Sequence, residues 1–460
     1  MALRKLRSQT QTKTSTAPAD PQASRPRYIG VDLHKEIAEY HIINAAGASI
    51  KRGKFLVTAE AIAYFANKHL CKTDRVAVEA TSNTWAFVRL VRDHVAKVVV
   101  SNPLKTKAIA EANIKTDKVD AYVLAQLLRC NYLPPVWQPG PEIERSRALA
   151  ARRTSLVRSR TAIRNRIHSV LAARLLVEPA IEPFSARWLQ WLGSTCLDAA
   201  GRAAVDGDLR LLLSLEEEIK ATGHMIDCDA YADPRVRLLM TLPGVDCTVA
   251  YTLMAALGEI NRFPAPKKAA SYLGLVPKVK QSAAKCYTSS ITKAGSSQAR
   301  WLLVQAAQSV GRHPGPLGAF FRKLARRKNR NVAVVATARK LVTIAWHMLT
   351  NNEPYRYATA RRTDEKLAAL RVRATGQKRK GGSPKGTKSQ RKLGSGGSRT
   401  IKPLDEVYAR QGLAPRRPLR PGEERMIRSS GTEKFVASLE HEQVVPRADG
   451  KTPQPRPPAR

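Results

Sequence analysis

The chain has 460 residues, with 79 Lys and Arg against 37 Asp and Glu, a formal charge of +42. That length allows two or three domains with cores of their own. A cationic surplus of this size repels itself in a compact protein unless a polyanion balances it, which points to nucleic acid and sets aside a soluble protein of near-balanced charge.

Residues 1–26 are rich in Ser, Thr, Gln, Ala and Pro with scattered Arg and show no amphipathic apolar face, so they read as a disordered basic leader rather than a transit peptide. From 27 to 140 short β-rich runs alternate with helical ones. Tyr28 to Leu33, Glu39 to Asn44 and Lys51 to Val57 form a predicted strand meander with a turn at Gly47. A helix from Glu60 to His69, a strand from Val76 to Glu79, a helix from Trp85 to His94, a strand from Lys97 to Val100 and a helix from Asp117 to Arg129 follow. Three strands and then alternating α and β predict an α/β domain with a mixed, helix-flanked sheet, the ordering of RNase H-like folds.

Residues 141–232 lose the strand signal and carry apolar residues at heptad spacing: Leu149, Leu156, Ile163 and Val170, then Leu212, Ile219 and Ile226. Two long helices paired as a coiled coil are predicted, with Arg152, Arg153, Arg158, Arg160, Arg164 and Arg166 as a phosphate-contacting surface. Residues 233–355 read as an all-α, mainly helical domain punctuated by Gly and Pro. Residues 356–460 shift to Lys, Arg, Gly, Ser and Pro and read as a basic tail that is disordered until it meets nucleic acid. The six cysteines show no CxxC pair and read as reduced, mostly buried thiols. The apolar stretch from Val332 to Leu349 is broken by Arg339 and Lys340, short of the roughly 18 uninterrupted residues of a membrane span. The expectation is a soluble, cytoplasmic protein with no membrane partner.

Carboxylates stand at two strand ends, Asp32 closing Tyr-Ile-Gly-Val-Asp and Glu79 closing Val-Ala-Val-Glu, while Asp117 and Asp120 are three apart and share one helix face. Hard divalent cations such as Mg²⁺ take oxygen ligands, and phosphodiester chemistry on paired metals needs about this many carboxylates from separate elements. Glu36, Glu60 and Asp74 lack the placement and read as surface. Further on, Leu242-Pro243-Gly244-Val245 before an apolar helix resembles a helix-hairpin-helix turn, whose backbone N–H groups hold a DNA phosphate. Ser282 lies in a loop with Ser289, Ser290, Ser296 and Ser297 as competitors. Activation of any of them needs a base, a metal or nearby cations such as Lys280, Lys285 and Arg300.

In order, Gly-Val-Asp32, Glu79, Lys-Thr-Asp117-x-x-Asp120-Ala, Leu-Pro-Gly-Val, Leu-Gly-Leu-x-Pro before Ser282, and Thr-Lys-x-Gly295 with Arg300 resemble the DEDD transposases of insertion-sequence family 110 and their Piv-like invertase relatives. The likeness runs from about Tyr28 to Asn352. It implies a RuvC-like N-terminal domain, a coiled-coil connector and a transposase domain. It also implies Mg²⁺ on Asp32, Glu79, Asp117 and Asp120, and Ser282 attacking DNA to form a covalent intermediate. The implied partners are donor and target double-stranded DNA, a structured noncoding bridge RNA and further copies of the chain in a dimer or tetramer, at the nucleoid of a bacterial cell. The chain departs from the pattern at Ala283, where the family has Gly, and at Ser296, where it often has Asn. Two other readings stand beside this one: a RuvC-like nuclease or junction resolvase that cuts with metal-activated water, and a non-catalytic architectural nucleic-acid binder.

Overall fold

A computed structural model describes residues 26–109, 117–282, 285–377 and 398–446; the leader therefore lies almost wholly outside the described residues. The chain divides into two compact units, Met1–Gln138 and Pro139–Arg460.

The first unit is built on a five-stranded sheet in the order β3-β2-β1-β4-β5. β1 (Tyr28–Leu33), β2 (Ile37–Ile43) and β3 (Ser49–Leu56) form the antiparallel meander, and β4 (Arg75–Glu79) and β5 (Lys97–Ser101) run parallel to β1. Between them come α1 (Ala59–His69) and α2 (Thr84–Val91); α3 (Pro103–Ile109) and α4 (Asp117–Arg129) follow. Period-two alternation sorts the strand residues onto two faces. Ile29, Val31 and Leu33 of β1 and Val76 and Val78 of β4 pack with Phe65 of α1 and Phe87 and Val88 of α2. Tyr28, Ala77 and Val99 pack on the opposite face with Leu124 and Leu128 of α4. Asp74, expected at the surface, is wholly buried, because Arg27 closes an ion pair on it at 2.7 Å and the Cys71 N–H donates to it at 2.8 Å.

The second unit is mainly helical. α5 (Pro141–Ala172) and α7 (Ala199–Ala232) pack along each other, with α6 (Ala186–Ser194) folded over one end through Trp188 and Leu192. Leu156, Ile163, Leu212 and Ile226 of the heptad set are buried. Half of the arginine stripe is engaged in this pairing: Arg152 meets Glu218, Arg164 meets Glu216 and Arg166 meets Asp208. Those three are thus not a bare phosphate surface, since the acids that balance them sit on the partner helix.

A larger core gathers α8 (Pro234–Leu239), α9 (Cys247–Leu257), α10 (Pro266–Tyr272), α11 (Ser297–Val310), α12 (Pro316–Arg327) and α13 (Arg330–Asn351), with a two-stranded ribbon of β6 (Pro277–Ser282) and β7 (Lys285–Ile291). α13 is the one described helix long and apolar enough to cross a membrane, but Ala333, Val334, Ala338, Leu341, Val342 and Ala345 pack it into this core.

The expectation of a disordered segment from 356 onward is corrected for the described part of it. α14 (Ala360–Thr375), β8 (Ser398–Ile401), α15 (Leu404–Arg410), α16 (Pro421–Ser430), α17 (Glu433–Ser438) and β9 (Gln443–Pro446) are folded, and β8 pairs with β9. Leu367, Leu370, Leu404, Val407, Tyr408, Ile427, Val436 and Leu439 all join the same core as α9 to α13. The basic composition hid apolar residues at helical spacing. Residues 378–397 and 447–460 of the expected tail lie outside the described residues.

Polar contacts lock this segment on. The Tyr408 hydroxyl donates to the Tyr355 carbonyl at 2.6 Å, and Arg356 pairs with both Glu353 and Glu423. The Lys366 ammonium, pushed down to about 8 by burial, donates to the carbonyls of Met240, Leu242 and Val245. The thiols also differ from expectation: all six are unpaired, and only Cys247 is buried, the others falling on turns, open helix faces and the ribbon.

Candidate active site

Asp32 is next to last in β1 and Glu79 last in β4, adjacent parallel strands whose register pairs Gly30 with Ala77 and Val31 with Val78, so the two acids are neighbours at the carboxyl end of the sheet. Crevices at the carboxyl ends of parallel strands are where open α/β sheets place ligands. Both share the face on which α4 lies: Glu79 is two residues from Ala77, which packs on α4, and Asp32 is two residues from Gly30.

Gly30 explains how α4 comes close. A Cβ there would lie 2.0 Å from the Ala121 carbonyl oxygen and 2.7 Å from the Ala125 nitrogen, so only glycine lets the α4 backbone rest directly on β1. That crossing sets Asp120, the residue before Ala121, next to the end of β1. The backbone of Asp117 begins the same helix one turn earlier, and its side chain lies outside the described residues.

Hydrogen bonds brace the loops around these acids. His34 Nε2 lies 3.1 Å from Asp32 Oδ2, and Asn83 Nδ2 donates to the His34 carbonyl at 2.8 Å, lacing the loop after β1 to the loop after β4. The Thr84 hydroxyl donates to the Glu79 carbonyl at 2.7 Å. The Asp32 carboxylate is 14% exposed, open enough to meet a ligand yet held by its strand.

The sheet adds a carboxylate whose place the sequence does not reveal. Glu39 of β2 is the cross-strand partner of Asp32, and directly opposed residues of an antiparallel pair point to the same face. His41, opposite Gly30, agrees with that geometry, its ring lying 4.9 Å from that of Tyr122 on α4. The donor set is all oxygen, the chemistry that suits Mg²⁺ rather than zinc. Among the described side chains no three Asp, Glu, His or Cys groups close to ligating distance, so the acids are brought together as positions, by backbone and register.

Ser282 is not in a loop. It ends β6, and its Cα partner is Lys285 of β7. The side chains of Lys280, Ser282 and Lys285 lie outside the described residues, but the register puts positions 280, 282, 285 and 287 on one face of the ribbon. Along the ribbon Val279 is 57% exposed and Tyr287 64%, and residues 277–291 contain no acid.

The motifs flanking the ribbon form its root. A Cβ on Gly274 would come 2.3 Å from the Ala294 nitrogen, and one on Gly295 would come 2.1 Å from the Tyr272 carbonyl, so these positive-φ glycines let the two loops touch. Arg300 donates to the Ala294 carbonyl at 2.8 Å and to the Leu273 carbonyl at 3.2 Å, clamping both. Arg300 thereby serves as a brace at the root of the ribbon. Ser296 caps α11, accepting from the Ala299 N–H at 3.2 Å, which gives it a structural task among the competing serines.

The Leu-Pro-Gly-Val turn joins α8 to α9 as a hairpin, with Gly244 at φ +77. The turn offers carbonyls to Lys366, and Asp246 caps α9, its carboxylate accepting from the Val249 N–H at 2.8 Å.

Comparison with known proteins places these features in one group. Residues 29–174 match the family profile of the DEDD transposases of IS110, and residues 236–322 match the profile described as Transposase IS116/IS110/IS902 family. The chain is 26% identical over 355 residues to the transposase for insertion sequence element IS1111A of Coxiella burnetii, covering 72% of this chain and 91% of that protein. It is 26% identical over 346 residues to the pilin gene-inverting protein of Moraxella bovis, covering 71% and 97%, and 24% identical over 349 residues to the transposase for insertion sequence element IS1328 of Yersinia enterocolitica, covering 70% and 96%. The sheet that carries Asp32 and Glu79 and the ribbon that carries Ser282 fall inside the two matched spans, and the chain belongs to the IS110-family transposases, enzymes that cleave and transfer DNA strands.

Proposed function

We propose that the first unit is an RNase H-like, RuvC-type domain whose Asp32, Glu79, Asp117 and Asp120 hold Mg²⁺, and that Ser282 is the nucleophile of a DNA recombination reaction guided by a structured bridge RNA. The observation that carries the metal site is the Gly30 crossing, which sets Asp120 beside two acids at neighbouring strand ends. A bound divalent cation supplies Lewis-acid stabilisation of charge on the scissile phosphate. The protein's share is to present oxygen donors from a rigid sheet and helix, with His34 and Asn83 fixing the two loops.

The ribbon supports the serine. A two-stranded β-ribbon fits the DNA major groove, and one without acidic residues approaches phosphate without repulsion. In the proposed step the Ser282 hydroxyl oxygen bonds to phosphorus and one bridging P–O bond breaks. The serine proton leaves to a base in solvent or substrate, and the departing deoxyribose oxygen takes up a proton. The phosphodiester so formed conserves the bond energy for rejoining. Donor and target duplexes and the guide RNA supply the polyanion that the +42 charge demands, and strand exchange calls for a dimer or tetramer. The setting is the nucleoid in a bacterial cytoplasm.

A second reading keeps the metal and drops the serine. All four acid positions lie within Met1–Gln138, so a metal-activated water could cut without the ribbon. Quenching a reaction with labelled element ends under denaturing conditions separates the two. The serine reading expects a DNA-linked peptide containing Ser282, lost in Ser282→Ala while DNA binding persists. Cleavage with no protein-linked DNA, or a link at Ser289, Ser290, Ser296 or Ser297, contradicts it.

A further inference from the structure

A cleft of about 940 Å³ opens in the second unit between α12, α13 and α16, away from both the ribbon and the α8–α9 hairpin in sequence. Its rim is cationic. Lys323, Arg326 and Arg327 occupy one face of α12 at i, i+3 and i+4, Lys340 stands on α13, and Arg420 precedes α16. All five are exposed, and among the described residues none makes an ion pair. The two carboxylates of the cleft, Glu353 and Glu423, are both engaged by Arg356, so they do not offset the rim.

The floor is apolar: Phe320, Ile344 and Met348 from α12 and α13, and Met426 from α16. Lys340 Nζ sits 5.9 Å from the centre of the Phe320 ring, where it can bridge a phosphate to a base stacked on that ring. Duplex DNA hides its base faces and would leave this floor unused, whereas an unpaired strand offers bases to the floor and phosphates to the rim. We propose that the cleft is a binding site for single-stranded DNA, completed by the C-terminal segment through Arg420 and Met426 of α16. An enzyme that cuts and transfers strands generates such a strand, and the site holds it apart from the reacting groups.

Full-length chain carrying Lys323→Glu with Arg327→Glu, and separately Arg420→Glu, is titrated against a fluorescein-labelled oligothymidylate of about a dozen nucleotides and against a duplex of the same length. Thermal melting checks that both variants fold. Each variant is expected to weaken oligothymidylate binding about tenfold or more and to flatten its salt dependence by roughly 0.7 in log–log slope for every phosphate no longer neutralised, with duplex binding changed less than about twofold. Unchanged oligothymidylate binding, an equal weakening for duplex, or selective binding of oligouridylate through these residues overturns the proposal. Because strand cleavage is not read, failure here leaves the catalytic assignment untouched.

Discussion

Position 296 shows how a departure from a family pattern can be conservative. The resemblance expects Asn there and the chain has Ser, yet the site is the N-cap of α11, where Asn and Ser serve equally well. Ser296→Ala is expected to cost about 1 kcal/mol in a melting experiment and Ser296→Asn close to nothing, with strand transfer retained by both. A loss of transfer at unchanged stability would instead give Ser296 a chemical task. His313 makes a second prediction. Its Nδ1 accepts from the Gly315 N–H at 3.1 Å, and burial, with the charges of Lys366, Arg322 and Arg362, pushes its pKa down to about 4. The unfolded chain, near 6.5, binds the proton more tightly, so stability is full above that value and falls as pH drops toward 4, by about 3 kcal/mol. His313→Asn, which keeps an acceptor for Gly315, should flatten the pH 4–6.5 limb of a chemical denaturation series; an unchanged limb would assign it to other groups. At this scale the sequence showed the strand-end placement of Asp32 and Glu79, because a carboxylate at the end of an apolar strand breaks its pattern. Glu39 was invisible because its meaning comes from the strand beside it, and the pairing of Arg152, Arg164 and Arg166 because their acids are some forty to seventy residues away in the chain.

Most elements of the first unit were legible to within a few residues: the helix expected from Asp117 to Arg129 is α4, and each strand of the meander lies within a few residues of its expected ends, whereas α3 (Pro103–Ile109) had no counterpart among the expected helices. Hydrophobic periodicity carries that information locally. What it does not carry is the crossing of α4 over β1, which depends on one missing side chain. Gly30→Ala should force α4 off the sheet, at a cost of about 1–3 kcal/mol in denaturant melts, and reduce strand transfer further than the stability loss explains. Full activity at reduced stability would show that the α4 position is not critical to the acids. The ribbon was missed for a different reason. Pro277, three lysines and a run of small polar residues give neither an apolar stripe nor a clear alternation, and the strands pair through a root built by Gly274, Gly295 and Arg300.

Across the whole molecule, composition identified the partner and misjudged the C-terminal segment. An average over 356–460 is basic and poor in apolar residues, but the few that are present, Leu367, Leu370, Leu404 and Tyr408 among them, are spaced to dock on the core of the second unit. Average composition decides disorder only when no periodic apolar face survives within it. The proposed division of labour puts metal chemistry in the first unit and the covalent step on the ribbon of the second, so the same DNA product should depend on both. The most direct test incubates labelled insertion-element ends with the full chain in Mg²⁺ or in EDTA, with Asp32→Asn and Asp120→Asn alongside, and resolves the strands under denaturing conditions. Cleavage should appear only with the metal and the unaltered acids, and each variant should fall by about a hundredfold or more while still binding DNA. Cleavage in EDTA, or by either variant at the unaltered rate, would contradict the assignment of the acidic face as the catalytic centre.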